Sequence, residues 1–276
     1  MAKRAICVGI NKFANYPQFT LNGCVNDAKD MAALCRSLLG FKASEIVLLT
    51  DAKATKATIM GQLKAAVADA RAGRLSQIVF SWSSHGTQMT DRSGDEPDGM
   101  DEAFVPYDIA EKSGDWDPAH IITDDEFHDL FQQLPESVPL EVYLDTCHSG
   151  TGLRGAEFSL HAPRVKYVAP PTAQGPVRQK AVRGFALARA AKQEAPATHQ
   201  ILWSGCKANQ TSADAYFSGR YNGAFTYYFV KVMNETKNKL PRSAVVERMR
   251  AAMKGKFSQV PQLETSASNR KTAVAL

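Results

Sequence analysis

The sequence predicts an α/β fold with a mostly parallel central sheet and helices on both of its faces. Two observations carry that expectation. Short apolar runs alternate with segments of helical periodicity through the first 150 residues. The strand-like runs are apolar along their whole length, as strands buried on both faces are. The length, 276 residues, suits one such domain over 1–276.

The elements follow in order. Residues 5–10 form a first apolar strand. Over 25–39, Val25, Ala28, Met31, Leu34, Cys35 and Leu38 recur at three- and four-residue spacing, and Gly40 supplies the stop. Residues 45–50 give a second strand. Residues 58–72 give a helix with Ile59, Leu63 and Val67 on one face and Gly73 behind it. A third strand covers 77–82. Thr123, Asp124, Asp125 and Glu126 make a capping-box start for a helix carrying Phe127, Leu130, Phe131 and Leu134, which Pro135 ends. Residues 140–144 are a fourth strand. Regularity then stops: 151–198 hold five prolines, and eight Lys or Arg face only Glu157 and Glu194. Structureless stretches of that length are uncommon inside compact domains. Order resumes with a strand at 199–204, helices at 223–234 and 243–254, and a final strand at 272–276.

Composition narrows the function classes. The hydrophobic fraction of 44% supports a sizeable core. No apolar run approaches the ~20 residues of a membrane span, and the N-terminal apolar stretch is too short for a secretory signal. Five cysteines without a CxxC pair suggest neither a disulfide framework nor structural zinc. A reducing, cytoplasmic setting is expected. The net charge of +5 gathers in the irregular basic loop rather than on ordered structure mixed with aromatics, which argues against nucleic acid. No GxGxxG or GxxxxGK[ST] follows any strand, so nucleotide binding is excluded too.

Parallel sheets bind ligands outside the carboxyl ends of their strands. Two strand ends deliver reactive groups to that edge: Ser83-Ser84-His85-Gly86 and Asp145-Thr146-Cys147-His148. A lone cysteine is most often a small buried hydrophobe. A Cys and a His, each in a glycine-containing loop after a strand, point instead to a nucleophile with its proton partner. Cys147 is the candidate nucleophile and His85 the candidate base. The backbone N–H groups near Gly86 and Cys147 are candidates for stabilising an oxyanion. His148 is the rival base, but it adjoins Cys147 and in extended backbone points the other way.

These two motifs resemble the histidine and cysteine motifs of metacaspases, and the resemblance runs along nearly the whole chain. It includes Gly23-Cys24-Val25-Asn26-Asp27, Gly94-Asp95-Glu96 through Asp101-Glu102-Ala103, and Ile122-Thr123-Asp124-Asp125-Glu126. It continues through 204–213 (SGCKANQTSA) and Gln259-Val260-Pro261-Gln262-Leu263. It is to the type I kind, in the prokaryotic form without a prodomain. The resemblance implies a caspase-like three-layer sandwich, with 1–150 as the large-subunit part and 199–276 as the small-subunit part. It also implies a cysteine endopeptidase cutting after Arg or Lys.

Asp145 and Asp27 give that preference a physical basis. Asp145 lies two residues before Cys147 and projects to the same side. Asp27 is expected in the loop after the first strand, near the same edge. Two carboxylates would pair with a guanidinium or ammonium, at ~1.5–3 kcal/mol for each charged hydrogen bond. As a plain alternative, Asp27 serves the helix dipole. Cys24 and Ser83 match the family's other pocket-lining positions. The expected partners are peptides with a basic residue at the cut, and a monomer is expected. Self-cleavage is a hypothesis for the basic loop, at Arg154, Arg164, Lys166, Arg178, Lys180, Arg183, Arg189 or Lys192; a plain solvated insertion is the alternative.

The resemblance further implies activating calcium on Asp101, Asp124 and Asp125, but the fourth ligand position is Arg154, a cation. The capping box already accounts for Asp124 and Asp125 without metal. Ser84 stands where the family usually has Gly, and Thr146 where it often has Cys. Two competing functions are a catalytically silent interaction module and a peptide ligase on the same scaffold.

Overall fold

The computed structural model describes residues 1–92, 94, 99–147, 163–171, 199–207 and 210–274. Its elements, in chain order, are β1 (Ala2–Gly9), α1 (Cys24–Ser37), β2 (Ile46–Thr50), α2 (Lys56–Arg71), β3 (Leu75–Ser83), β4 (Gly86–Thr90), β5 (Met100–Phe104), β6 (Glu111–Lys112) and β7 (Asp115–Trp116). There follow β8 (Ile122–Thr123), α3 (Asp124–Phe131), β9 (Leu140–Asp145), β10 (Arg164–Val165), β11 (Gln200–Ser204), β12 (Ala213–Phe217) and β13 (Arg220–Gly223). The last are α4 (Ala224–Thr236), α5 (Arg242–Met253), β14 (Gln262–Glu264) and α6 (Ala267–Arg270).

Six strands form the central sheet in the order β14-β11-β9-β3-β1-β2. All neighbours are parallel except the β11–β14 pair. Side chains alternate across it. Ile6, Val8, Ile78, Phe80, Trp82, Leu140, Val142 and Leu144 face a core shared with α2 and α3. Ala5, Cys7, Val79, Tyr143, Ile201 and Trp203 face a second core shared with α1, α4 and α5. Two apolar faces explain why these strands lack the polar alternation of a one-sided sheet.

The helices start as their sequences direct. Thr55 caps α2 by accepting from the Thr58 N–H. At α3 the capping box is complete: Thr123 accepts from Glu126 N–H, and the Glu126 carboxylate returns to Thr123 N–H. Among the described residues three small sheets stand beyond the main one: β4-β5-β8, β10-β12-β13 and the pair β6-β7.

The expected strand at 272–276 is not one over its described part. Thr272–Val274 is irregular, and the remaining two residues lie outside the described ones. Val274 instead docks its backbone on Asn238, whose side chain both donates to the Val274 carbonyl (2.8 Å) and accepts from its N–H (3.2 Å). The sheet edge is taken by β14, which pairs antiparallel with β11.

Candidate active site

The register of the sheet assembles the site. Ser83 at the end of β3 is paired with Asp145 at the end of β9. Ser83 is also paired with Gly9 at the end of β1. His85 and Cys147 each follow two residues beyond a paired strand end, so both stand at one rim, on neighbouring strands. Ser83 and Asp145 share the strand parity of Val79 and Tyr143, which puts their side chains on the face covered by α1 and α4.

Asp27 lies in the first turn of α1, not in the loop before it as the sequence suggested. It is 1% exposed and reaches under the sheet edge. Its Oδ1 accepts from Asn222 Nδ2 and the Gly223 N–H, both at 2.9 Å. Its Oδ2 accepts from Ser83 Oγ at 2.7 Å. Asp145, also 1% exposed, accepts from Ser212 Oγ (2.6 Å) on Oδ1. On Oδ2 it accepts from Thr226 N–H (3.0 Å) and Thr226 Oγ1 (2.8 Å). Each carboxylate is thus held by neutral donors of the scaffold. Asp214, fully buried, is a further acid beside them.

Between the two carboxylates sits the side chain of Lys166. Its Nζ lies 3.2 Å from Asp27 Oδ2 and 3.0 Å from Asp145 Oδ1, and it donates to Ser83 Oγ at 2.9 Å. Burial alone would depress this ammonium's pKa; the Asp145, Cys24, Asp27 and Asp214 charges reverse that and hold it well above the usual lysine value. Asp27 is pushed up to about 6, by burial first and by the Asp145 charge, while Lys166 pulls the other way. Burial likewise pushes the Cys24 thiol up; Cys24 opens α1 beside Ser83 and Lys166.

The main chain of Lys166 is placed as closely as its side chain. Its carbonyl oxygen accepts from the Gly86 N–H at 3.0 Å and the Cys147 N–H at 3.3 Å. Its own N–H donates to the Ser212 carbonyl at 3.1 Å. Cys147, 1% exposed, turns its sulfur to the same residue: Sγ accepts from the Ser212 N–H and lies 3.5 Å from the Ser212 oxygen.

His85 Nε2 is 2.7 Å from the carbonyl oxygen of Phe19, at the end of the turn Pro17–Phe19. A carbonyl only accepts, so Nε2 carries the proton and Nδ1 keeps its lone pair. Nδ1 is buried and has no hydrogen-bond partner among the described residues. Burial lowers this imidazole to about 4, opposed by the Phe19 bond and reinforced by the Lys166 and Arg164 cations. It is therefore neutral at neutral pH. A groove of about 520 Å³, lined in part by Phe19, His85, Arg164 and Tyr167, runs beside the ring.

Other expected residues fall as follows. Ser84 is buried with Oγ donating to the Val105 carbonyl at 2.9 Å, so its hydroxyl is satisfied within the sheet edge. Thr146 Oγ1 is buried without a partner among the described residues. His148 and Arg154 lie outside the described residues. Asp101 lies on β5, and Asp124 and Asp125 open α3, which follows β8. Among the described residues, however, no group of three or more acids, histidines or cysteines is arranged to hold a metal ion. The described acids do not fit calcium by themselves, and no chemical step is routed through it.

Sequence reasoning missed Ser212, Asn222, Gly223, Thr226 and Phe19. Gly223 is the sharpest of these. A Cβ there would overlap both Asp145 Oδ2 and Lys166 Nζ, so only glycine leaves the pocket open.

A family model described as metacaspase, peptidase C14 domain, matches residues 3–155. The chain belongs to the metacaspase family, a family of cysteine peptidases. Among curated metacaspases, Metacaspase-1 of Scheffersomyces stipitis is 32% identical, the match covering 96% of this chain and 70% of that protein. Metacaspase-1 of Cryptococcus neoformans is 30% identical, covering 96% of this chain and 62% of its own length. This metacaspase chain therefore spans about two thirds of those relatives. Among solved structures, Caspase-1 from Spodoptera frugiperda superposes with a TM-score of 0.57 at 11% identity, over 95% of this chain and 86% of that one. At that identity the likeness is one of fold, and it identifies the three-layer α/β architecture as caspase-like. No helix among the described residues is long and apolar enough to cross a membrane.

Proposed function

We propose that this metacaspase domain is an endopeptidase that cuts after Lys or Arg, with Cys147 as nucleophile and His85 as its base. One observation carries the reading: a lysine sits with its ammonium between Asp27 and Asp145 while its carbonyl oxygen is held by the N–H groups of Gly86 and Cys147. A cation pocket and a carbonyl-polarising pair one residue apart are what cleavage after a basic residue needs.

In the proposed reaction, Cys147 Sγ attacks the carbonyl carbon of the basic residue, and the thiol proton passes to the free Nδ1 of His85. Negative charge growing on the carbonyl oxygen is met by the two N–H groups. His85 then returns the proton to the leaving amine, and water releases the acyl group by the reverse sequence. The Phe19 carbonyl orients the ring throughout. With the imidazole held near 4, a resting thiolate–imidazolium pair is disfavoured, so the proton moves as the carbon–sulfur bond forms.

Reporter peptides ending in Arg, Lys or Asp test this. Arg and Lys reporters should be hydrolysed and the Asp reporter refused, with all turnover lost in Cys147→Ala. Turnover of the Asp reporter at comparable rate would defeat the specificity; transfer to an added amine in place of hydrolysis would favour ligation. Five unpaired thiols support a reducing, cytoplasmic setting. Calcium activation through Asp101, Asp124 and Asp125 is a separate proposal, supported only by their oxygen chemistry. Activity unchanged by chelation and calcium readdition would remove it.

A further inference from the structure

We propose that Gln259 is a positioning residue for the reaction: through Ser212 it fixes both the pocket acid Asp145 and the sulfur of Cys147. This rests on the reading of the site as a Lys/Arg-specific cysteine peptidase, and it adds a residue that stands behind the reacting groups.

Gln259 lies in the loop before β14 and is 2% exposed. Its side-chain amide is filled at three points. Nε2 donates to the Gly205 carbonyl at 2.9 Å and to Ser212 Oγ at 3.2 Å. Oε1 accepts from the Ala213 N–H at 2.8 Å. A carbonyl only accepts and a peptide N–H only donates, so the amide can face one way alone. The loop itself is seated by Gln210, whose Oε1 accepts from the Val260 N–H (2.9 Å) and whose Nε2 donates to the Ser258 carbonyl (2.6 Å). Gly205 provides the room. A Cβ there would stand 2.8 Å from Ser212 Oγ.

The amide acts on Ser212, which is fully buried, in two ways. The first is through the hydroxyl, which has a single proton. Because Gln259 donates to Oγ, that proton is left for Asp145 Oδ1, at 2.6 Å. The pocket acid is thus met by a donor that has no other acceptor to turn to. The second is through the main chain. The Ser212 carbonyl and the Ala213 N–H belong to one planar peptide unit, and in a trans peptide they point in opposite directions. Holding the N–H on Gln259 aims the carbonyl the other way, at Cys147. Cys147 Sγ donates to that carbonyl at 3.5 Å and accepts from the Ser212 N–H. One side chain therefore governs the cation pocket by the hydroxyl and the nucleophile by the peptide.

The wild type, Gln259→Leu, Ser212→Ala, the double variant and Gln262→Leu are assayed for kcat and KM on an Arg reporter, with unfolding temperatures measured alongside. Gln262 is the control, since its amide donates to the Val260 and Pro261 carbonyls of its own loop. Gln259→Leu should raise KM about ten-fold and lower kcat about five-fold. Ser212→Ala should raise KM by a similar factor. On that background Gln259→Leu should raise KM less than about two-fold further, while its effect on kcat persists. Gln262→Leu should keep both constants. Should Gln259→Leu not fold, Gln259→Met takes its place; should neither fold, unchanged constants in Ser212→Ala would overturn the proposal. A lowered unfolding temperature with kcat and KM intact in Gln259→Leu would make Gln259 a structural residue and overturn it. So would a ten-fold rise in KM on both backgrounds, or the same losses in Gln262→Leu. Each of those results leaves the reading of the site standing if the wild type hydrolyses the reporter. No hydrolysis by the wild type would overturn that reading, and this proposal with it.

Discussion

Among the described residues two cations are buried, Lys166 and Arg242, and they are held differently. Arg242, at the start of α5, is 4% exposed and grips Glu141 with two bonds, Nε to Oε1 at 2.8 Å and Nη2 to Oε2 at 3.0 Å. Its Nη1 also reaches Thr272 Oγ1 at 2.6 Å. Trp203 Nε1 adds a third bond to Glu141 at 3.0 Å. Helix, sheet and C-terminal segment are tied by one guanidinium. Lys166 arrives instead on a short strand, and the acids it meets already have neutral donors in Asn222, Gly223, Ser83, Ser212 and Thr226. Those donors would keep Asp27 and Asp145 hydrogen-bonded even without the cation. Under the proposed function the two buried ion pairs serve opposite ends: one is a fixed joint, and the other a socket for a substrate's cation.

The comparison can be broken at several points. Asp145→Ala removes one wall of the socket; losing a partner of a buried charge pair costs about 3–5 kcal/mol, so kcat/KM on Lys and Arg reporters should drop by two to four orders of magnitude. A loss confined to thermal stability would make Asp145 another joint. Arg242→Ala should lower unfolding free energy by about 3 kcal/mol, the lower end of that range because Trp203 keeps its bond to Glu141. Denaturation measures it, and reporter preference should not move. Gly223→Ala crowds the socket at about 1–3 kcal/mol, raising KM for basic reporters more than it lowers kcat. An unchanged KM would mean that the acids can shift to admit the methyl group.

The smallest effect is on pH. Asp27 titrates near 6 with Lys166 in place, and higher without it, since that cation lowers it. KM for a basic reporter should therefore fall as pH rises from 5 to 7, by up to about ten-fold per unit below the titration, as a second negative charge appears. Stability runs the other way. A carboxyl raised above its ordinary 3.8 favours the folded state fully below that value, and this is lost as pH rises through about 6.

Much of this was legible because both faces of the sheet are buried. The apolar runs at 77–82 and 140–144 lie within β3 and β9, and the run at 5–10 overlaps β1, which starts at Ala2 and stops at Gly9; the ends of β3 and β9 carry His85 and Cys147 to one rim. The β12–β13 hairpin was readable in principle: Ser218 and Gly219 both have positive φ between two aromatic-bearing strands. The edge strand β14 was not, since Gln262-Leu263-Glu264 has a single apolar residue and gains its place from β11. Lys166 was one basic residue among eight in a loop without periodicity. What distinguishes it is tertiary, a fit to carboxylates contributed by α1 and β9. Gly223 likewise shows its purpose only once the pocket exists.

The turn Pro17–Phe19 has a consequence for anyone dissecting this enzyme by substitution. The group that aims the imidazole is a peptide oxygen, present whatever residue occupies position 19. Alanine at 19 would remove the Phe19 ring, which meets the His85 ring edge-on with centroids 6.2 Å apart, but would leave the hydrogen bond that aims the imidazole. Orientation of the proposed base is thereby entrusted to the path of the chain, which insertions, deletions or a changed proline at 17 would redirect.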